Sequence, residues 1–293
     1  MTRTVSVAVA QMDPKLGAYE HNFSRIVELF EAAIDQNTAL TVFPECTTTG
    51  YGFADLSAAY AVAEPVPGPT TMALTALCRR HRMDAGPYVV VGLLERVKNP
   101  DIVYNSAVLV GPEGLIGHYR KAHLPLLGVD RFTTPGDTGF QVWETAIGRI
   151  GIAICYDLRF PEALRTLALA DADIVALPTN WPDGSQNAPQ FVTRTRALEN
   201  RVFLLACNRC GREGGFWFFG HSQISDPQGN ILAEAGADAG LSYAHIDLSA
   251  AREKRIVIRP GEFELDTIGD RRPDLYHSII VEPPKQAYKE EEA

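Results

Sequence analysis

The chain has 293 residues, of which 46% are apolar and 22% are charged, and its formal net charge at pH 7 is −9. This composition is typical of a folded globular protein and excludes disordered and fibrous classes. The acidic balance argues against a nucleic-acid partner, since such proteins carry a basic face. No run approaches 18 apolar residues and the first residues lack a cleavable signal, so we expect a cytoplasmic protein with no membrane segment.

Many short β-type runs alternate along the chain with fewer and longer helical stretches. Strands are predicted over 4–11, 39–45, 88–97, 104–111, 115–121, 140–145, 149–155, 173–179, 202–209, 221–226, 231–236 and 241–248. Helices are predicted over 20–36, 69–83, 161–171, 187–200 and 249–257. The turn residues of "GPEG" at 111–114 and "DPQG" at 226–229 predict hairpin connections.

Two kinds of strand are present. Some are continuous apolar runs, as expected when both faces of a sheet are covered, and others alternate and are joined by tight turns, as in antiparallel pairs. An α/β fold with two mixed sheets packed together and helices outside accommodates both. With no internal repeat or linker, residues 1–280 are interpreted as a single domain and 281–293 as a solvated tail.

Five cysteines in a chain of this size fit no disulfide framework, and we expect all five to be reduced. Cys207 and Cys210 form a C-x-x-C pair, which suggests zinc or redox chemistry when seen alone. No second pair of cysteines or histidines stands at ligand spacing, and Cys207 falls inside a predicted strand. We therefore predict no metal site.

Cys155 ends the apolar strand 149–155, and Pro161 lies where a helix can begin without losing a hydrogen bond. The cysteine is thus predicted in a turn between a buried strand and a helix, where a nucleophile can be presented to substrate. A lone cysteine at a strand end can also be an inert core residue. This stretch by itself leaves both interpretations open, the nucleophile and the core residue.

Glu45 and Lys121 end two other predicted strands, and the carboxyl ends of strands are where α/β sheets bind ligands. A thiol needs a proton acceptor or a nearby cation to become a nucleophile at neutral pH. Glu45 is suited to take the thiol proton, and Lys121 to stabilise the thiolate and then an oxyanion. The backbone N–H of Tyr156 is the expected second oxyanion donor. No histidine base is required, although His123 follows Lys121 closely.

These motifs, "FPE" (43–45), "YRKAHL" (119–124) and "CYDLRFPE" (155–162), resemble those of the nitrilase-like carbon–nitrogen hydrolases. The resemblance covers nearly the whole chain except the tail. It implies a four-layer αββα sandwich, a Glu45–Lys121–Cys155 triad, a covalent acyl-enzyme and no cofactor. It further implies a homodimer, joined with help from a C-terminal arm at about 258–280.

One departure from the family concerns a second glutamate, which many members carry shortly before a "PGD". Here the corresponding stretch reads "LPLLGVDRFTTPGD", and Asp130 is the nearest acid. Asp130 is therefore a candidate active-site acid with a shorter reach; the alternative is a loop cap.

The resemblance leaves the substrate open among small amides, nitriles and N-carbamoyl compounds. Nitrile-cleaving members usually carry Trp-Glu after the cysteine, whereas this chain carries Tyr156-Asp157, which favours the amide-cleaving branches. Arg159 is predicted either to clamp a substrate carboxylate or to pair with an acid such as Glu162. Asn180 and Trp181 follow a strand end and are expected to line the pocket. A catalytically silent binding member is the competing class of function.

Overall fold

A computed structural model describes residues 4–99 and 102–281. The first of its two six-stranded sheets contains the N-terminal strand. The three strands β1, β2 and β3 run parallel, and antiparallel strands extend the sheet on both sides. In spatial order the sheet consists of β14 (Gly240–Asp247), β1 (Thr4–Gln11), β2 (Leu40–Val42), β3 (Tyr88–Arg96), β4 (Val103–Gly111) and β5 (Gly114–Arg120).

The second sheet repeats this plan with a parallel centre, β7 to β9, and antiparallel edges. In spatial order it consists of β13 (Ile231–Glu234), β12 (Gln223–Ser225), β9 (Phe203–Asn208), β8 (Ile174–Thr179), β7 (Gly148–Ile152) and β6 (Val142–Thr145). The predicted hairpin turns at 111–114 and 226–229 are confirmed, since they join β4 to β5 and β12 to β13.

The two sheets pack face to face through their central strands, and helices cover the outer faces. Helices α1 (Tyr19–Asp35) and α3 (Pro69–Arg80) lie on the first sheet, and α4 (Pro161–Leu169) and α5 (Thr193–Asn200) on the second. Short helices α2 (Leu56–Val62) and α6 (Ser249–Arg252) complete the set. This is the predicted four-layer αββα arrangement, and the apolar faces of α1 and α3 close the core over the first sheet.

Three stretches differ from the prediction. The helix expected over 249–257 is wrong beyond Arg252, because the β-branched run at 256–258 forms a hairpin strand instead. Helix α2 was not predicted; Asp55 caps it by accepting a hydrogen bond from the backbone N–H of Ala58 at 2.8 Å. A second unpredicted hairpin consists of β10 (Cys210–Glu213) and β11 (Phe216–Phe219), and Gly214 and Gly215 supply its positive-φ turn.

Residues up to 253 and from 254 onward are two separate compact units. The second contains the hairpin of β15 (Arg255–Arg259) and β16 (Phe263–Asp266), followed by two 3₁₀ turns. Several of its apolar side chains are exposed, among them Val257, Ile258 and Ile280. From residue 282 onward, the predicted tail lies outside the described residues. Within the described part of the chain, no helix combines the length and apolar character needed to cross a membrane.

Gly92, in the middle of β3, allows the turn after β2 to lie directly against the strand. Its N–H donates to the carbonyl of Pro44 at 3.2 Å, and its carbonyl accepts from the N–H of Thr47 at 2.8 Å. A Cβ at this position would lie 2.5 Å from the Pro44 carbonyl oxygen and 2.7 Å from the Cα of Glu45. The close approach of two backbones therefore fixes the position of Glu45.

We predict that Gly92→Ala destabilises the protein by about 1–3 kcal/mol, because backbone rather than a flexible side chain must move to accept the methyl group. Urea unfolding followed by circular dichroism measures the change. Gly240→Ala is the matched control, since a Cβ there meets no atom within 4 Å and the position has no positive φ. Equal stability of the two variants would contradict the argument.

Candidate active site

Glu45 follows strand β2 through Phe43 and Pro44, in a tight turn. The Thr47 hydroxyl donates to the carbonyl of Pro44, and Cys46 has a left-handed φ of 47°. The Glu45 side chain is fully buried. Packing of this turn on Gly92 sends the carboxylate into the interior, and so the charge must find partners there.

Lys121 directly follows β5, and its N–H donates to the carbonyl of Asn105 at 2.8 Å. Its side chain is also fully buried. The ammonium Nζ lies 2.6 Å from Oε1 of Glu45 and 2.5 Å from Oδ2 of Asp130. The structure therefore brings together two of the predicted triad residues and the candidate acid Asp130.

Asn105 and Tyr51 complete this cluster, and sequence reasoning missed both. Asn105 Nδ2 donates to Oε1 of Glu45 at 2.7 Å and to Oδ1 of Asp130 at 2.8 Å. The Tyr51 hydroxyl donates to Oδ2 of Asp130 at 2.8 Å. The available signal for Asn105 was an amide within the fully buried strand β4, where a polar side chain needs a partner.

Burial and the neighbouring charges both shift the pKa values of Glu45 and Lys121. Burial raises the pKa of Glu45; the Lys121 ammonium counteracts this, and the Asp130 carboxylate adds to it. Burial alone would lower the pKa of Lys121, but Asp130 and Glu45 outweigh it and hold that pKa well above its usual range. The ammonium thus stays charged, and Glu45 is biased toward accepting a proton.

One oxygen of Glu45 is free for chemistry. Oε1 accepts from Lys121 and Asn105, whereas Oε2 is buried and has no hydrogen-bond partner among the described residues. An unpaired buried carboxylate oxygen is costly in a folded protein unless a ligand or a proton completes it. This oxygen is the one available to exchange a proton with a reacting group.

Cys155 lies in the turn between β7 and α4, as predicted. It opens a 3₁₀ turn over Cys155–Arg159, has a left-handed φ of 45°, and α4 begins with Pro161 at its first position. The residue is 6% exposed. The charges of Glu45, Lys121 and Asp130 all act on its thiol.

The surroundings of the Cys155 thiol favour its protonated form. Burial raises the pKa of Cys155 well above its ordinary range, and the Glu45 carboxylate raises it further. The Lys121 ammonium and the backbone N–H of Asn180, which hydrogen-bonds the sulfur, act in the opposite direction. A nucleophilic role for this thiol therefore requires a base to remove its proton.

The other predicted binding residues differ in their exposure and in their contacts. Tyr156 follows Cys155 directly, and its ring meets Phe160 edge-on at 5.2 Å. Arg159 is exposed and donates to Oδ1 of Asn187 at 2.7 Å. No acid lies within salt-bridge distance of Arg159 in the part of the chain that is described, so the expected pairing with Glu162 is absent.

Asn180 and Trp181 follow β8, and both are buried. The Trp181 backbone N–H donates to Oδ1 of Asn208 at 2.7 Å. The side-chain amide of Asn180 has no hydrogen-bond partner at either its oxygen or its nitrogen among the described residues. Asn180 thus combines a backbone N–H that contacts the Cys155 sulfur with a side-chain amide whose donor and acceptor are unsatisfied.

The C-x-x-C pair lies in the protein interior. All five cysteines are free, and Cys207 and Cys210 are buried. Residues 4–99 and 102–281 contain no cluster of three or more histidine, cysteine or acidic side chains that could hold a metal.

Comparisons with known proteins point to one family. The sequence model of the carbon–nitrogen hydrolase family matches residues 6–256. A nitrilase of Pyrococcus abyssi is 39% identical over 93% of this chain and 99% of its own. The 2-oxoglutaramate amidase of Bacillus subtilis is 31% identical over 92% of this chain and 99% of its own.

Solved structures give the same result for the fold. A carbon–nitrogen hydrolase from Helicobacter pylori G27 superposes with a TM-score of 0.79 at 26% identity, covering 94% of this chain and 98% of that one. An amidase from Nesterenkonia sp. superposes with a TM-score of 0.77 at 24% identity, covering 94% and 96%. The chain belongs to the nitrilase-like carbon–nitrogen hydrolase family and is a hydrolase of carbon–nitrogen bonds.

Proposed function

We propose that this protein is a thiol amidase that hydrolyses a small primary amide to a carboxylic acid and ammonia. The observation that carries the proposal is the buried Glu45–Lys121 pair whose charges act on the Cys155 thiol. The pair supplies a base and an oxyanion donor without histidine or metal ligands, and the thiol supplies the nucleophile.

In the first half of the reaction, Oε2 of Glu45 takes the proton of Cys155 and the sulfur attacks the amide carbon. Negative charge develops on the carbonyl oxygen, where Lys121 and the Tyr156 backbone N–H stabilise it; one such donor is worth about 10²–10³ in rate. Glu45 then gives its proton to the departing nitrogen. The carbon–nitrogen bond breaks, ammonia leaves, and a thioester on Cys155 remains.

In the second half, Glu45 removes a proton from water, which attacks the thioester carbon. Lys121 stabilises the new oxyanion. The carbon–sulfur bond breaks, the carboxylic acid leaves, and the proton returns from Glu45 to the sulfur. One water is consumed for each amide, and no external oxidant or cofactor enters the balance.

Asp130 serves in this proposal as a fixed anion rather than as a proton carrier. Its two oxygens accept hydrogen bonds from Lys121, Asn105 and Tyr51, which occupy three of the roughly four acceptor sites of a carboxylate. It keeps Lys121 charged and directed into the site. The Thr133 hydroxyl donates a further hydrogen bond to Oδ1 at 3.3 Å.

The unpartnered amide of Asn180 supports an amide rather than a nitrile as substrate. An amide group offers both a carbonyl oxygen to accept from Nδ2 and an N–H to donate to Oδ1, whereas a nitrile offers no donor. A buried acceptor left unpaired costs affinity. A nitrile substrate is the second candidate, because the 39% identical relative from Pyrococcus abyssi is named a nitrilase.

We further propose a cytoplasmic homodimer in which residues 258–280 act as the dimerisation arm. The exposed apolar side chains of the second unit, among them Val257, Ile258, Phe263 and Ile280, support this assignment, since such surfaces are typical of contact with a partner.

The first prediction concerns the nucleophile. Cys155→Ala is expected to lower kcat for amide hydrolysis by at least about 10³-fold, because no other group forms the thioester. Ammonia release measures turnover, and intact mass spectrometry of the wild-type protein mixed with amide detects the added acyl group. Cys78→Ala is the matched control, since Cys78 is a buried cysteine of α3 in the core. Amide turnover by Cys155→Ala would contradict the proposed function.

The second prediction concerns the substrate. Primary amides are expected to be hydrolysed at least about 10-fold faster, in kcat/KM, than nitriles with the same acyl chain, because only the amide satisfies both polar atoms of Asn180. The measurement is ammonia release from paired amides, nitriles and N-carbamoyl compounds, with Cys155→Ala as the background. Turnover confined to nitriles would establish the second candidate instead.

The third prediction concerns assembly. A chain ending at Glu253 is expected to be monomeric, whereas the full chain has twice the single-chain mass of 32.1 kDa. Light scattering after size-exclusion chromatography measures both. Removal of residues 282–293 alone is the control and keeps the dimer. A dimeric chain ending at Glu253 would show that the arm is not what joins the subunits.

A further inference from the structure

Asp157, two residues after Cys155, has a fully buried carboxylate that closes the cysteine turn. Its Oδ2 accepts from the backbone N–H of Ile154, the residue directly before Cys155, at 2.9 Å. Its own backbone N–H donates to the carbonyl of Ile154 at 2.9 Å. Two hydrogen bonds thus join Ile154 and Asp157, the residues on either side of the cysteine in this turn.

The remaining hydrogen bonds to this carboxylate come from the segment that carries Lys121. The Tyr119 hydroxyl donates to Oδ2 at 2.8 Å, the backbone N–H of His123 donates to Oδ1 at 3.2 Å, and Nδ1 of His123 lies 2.7 Å from Oδ1. The Tyr119 hydroxyl in turn accepts from the N–H of Ala122 at 3.1 Å. Donors therefore flank Lys121 on both sides.

Ring stacking reinforces the same connection. The imidazole of His123 lies parallel to the ring of Phe160, with centroids 3.6 Å apart and an interplanar angle of 9°. Phe160 is the residue between the cysteine turn and α4. The Lys121 segment and the Cys155 turn are thus joined by a buried carboxylate and by a stacked ring pair.

The connection crosses from one sheet to the other. Lys121 follows β5 of the first sheet and Cys155 follows β7 of the second, so neither strand pairing nor chain continuity fixes the ammonium relative to the sulfur. We propose that Asp157 is a positioning residue that sets Cys155 against Lys121. The inference rests on the proposed catalytic roles of Lys121 and Cys155, and Asp157 itself touches no reacting atom.

Asp157→Asn tests this with little change in volume. The new NH₂ group cannot accept a hydrogen bond, so either the Ile154 and Tyr119 donors or the His123 donors lose their acceptor. We expect kcat to fall by about 10- to 100-fold with a smaller change in KM, since a displacement of about 1 Å costs on this order.

Alkylation of Cys155 by iodoacetamide, followed by peptide mass spectrometry, reports the position of the sulfur without substrate. The titratable groups that interact with the sulfur include Glu45, Lys121, Asp130 and Tyr51. If Lys121 moves away, the thiolate loses its cation. In Asp157→Asn the rate of alkylation then falls, and the midpoint of its pH profile moves to higher pH.

Asp173→Asn is the matched control. Asp173 is an equally buried carboxylate, located before β8, and accepts from the N–H of Arg149 at 2.9 Å and from the guanidinium of Arg252 at 3.0 and 2.9 Å. It holds no part of the proposed site. We expect Asp173→Asn to lower the melting temperature as Asp157→Asn does, with unchanged kcat and an unchanged alkylation profile.

An Asp157→Asn protein with wild-type kcat and an unmoved alkylation profile would overturn the proposal, as would equal losses in the two variants. Should Asp157→Asn fail to fold, Tyr119→Phe removes one of the four bonds and is expected to slow alkylation several-fold; no change there is the overturning result. Failure of the proposed function is distinguishable, because it would appear as amide turnover by Cys155→Ala.

Discussion

The structure depends on one buried ammonium shared by two carboxylates. Moving each ion out of water costs several kcal/mol, and close pairing with full hydrogen bonding must offset that cost. Lys121 contacts both Glu45 and Asp130, and Asn105 donates hydrogen bonds to the same two acids. Burial raises the pKa of Glu45 and the Asp130 carboxylate raises it further, while Lys121 counteracts both, so Glu45 binds a proton more readily than an exposed glutamate. The arrangement that makes the interior stable therefore also prepares a base.

The fold brings these groups together by a simple geometric device. Strands β2 and β7 belong to the parallel centres of their sheets, and the edge strand β5 runs in the same direction as β3 because two antiparallel pairings separate them. The turns that follow β2, β5 and β7 carry Glu45, Lys121 and Cys155. Face-to-face packing of the sheets then places turns from both layers at one edge. Close backbone contacts, such as that of Gly92 with the Glu45 turn, remove the freedom that loops usually have.

Sequence patterns were sufficient for the layers and for residues at strand ends, because burial of a strand is visible as an apolar run and its end as a polar residue. Asn105 and Tyr51 were missed because their partners lie 25 to 79 residues away, and no local pattern encodes such pairings. The helix expected over 249–257 failed for a different reason: hairpin pairing of β15 with β16 overrides the helical spacing.

The left-handed backbone of Cys155 has a thermodynamic consequence for turnover. A non-glycine residue in that region is disfavoured by about 1–2 kcal/mol, so an isolated peptide of this sequence would rarely visit it. In the protein, the surrounding packing enforces the conformation continuously. The orientational entropy of the sulfur is thus lost once, when the polypeptide folds, and not again at each encounter with a new molecule.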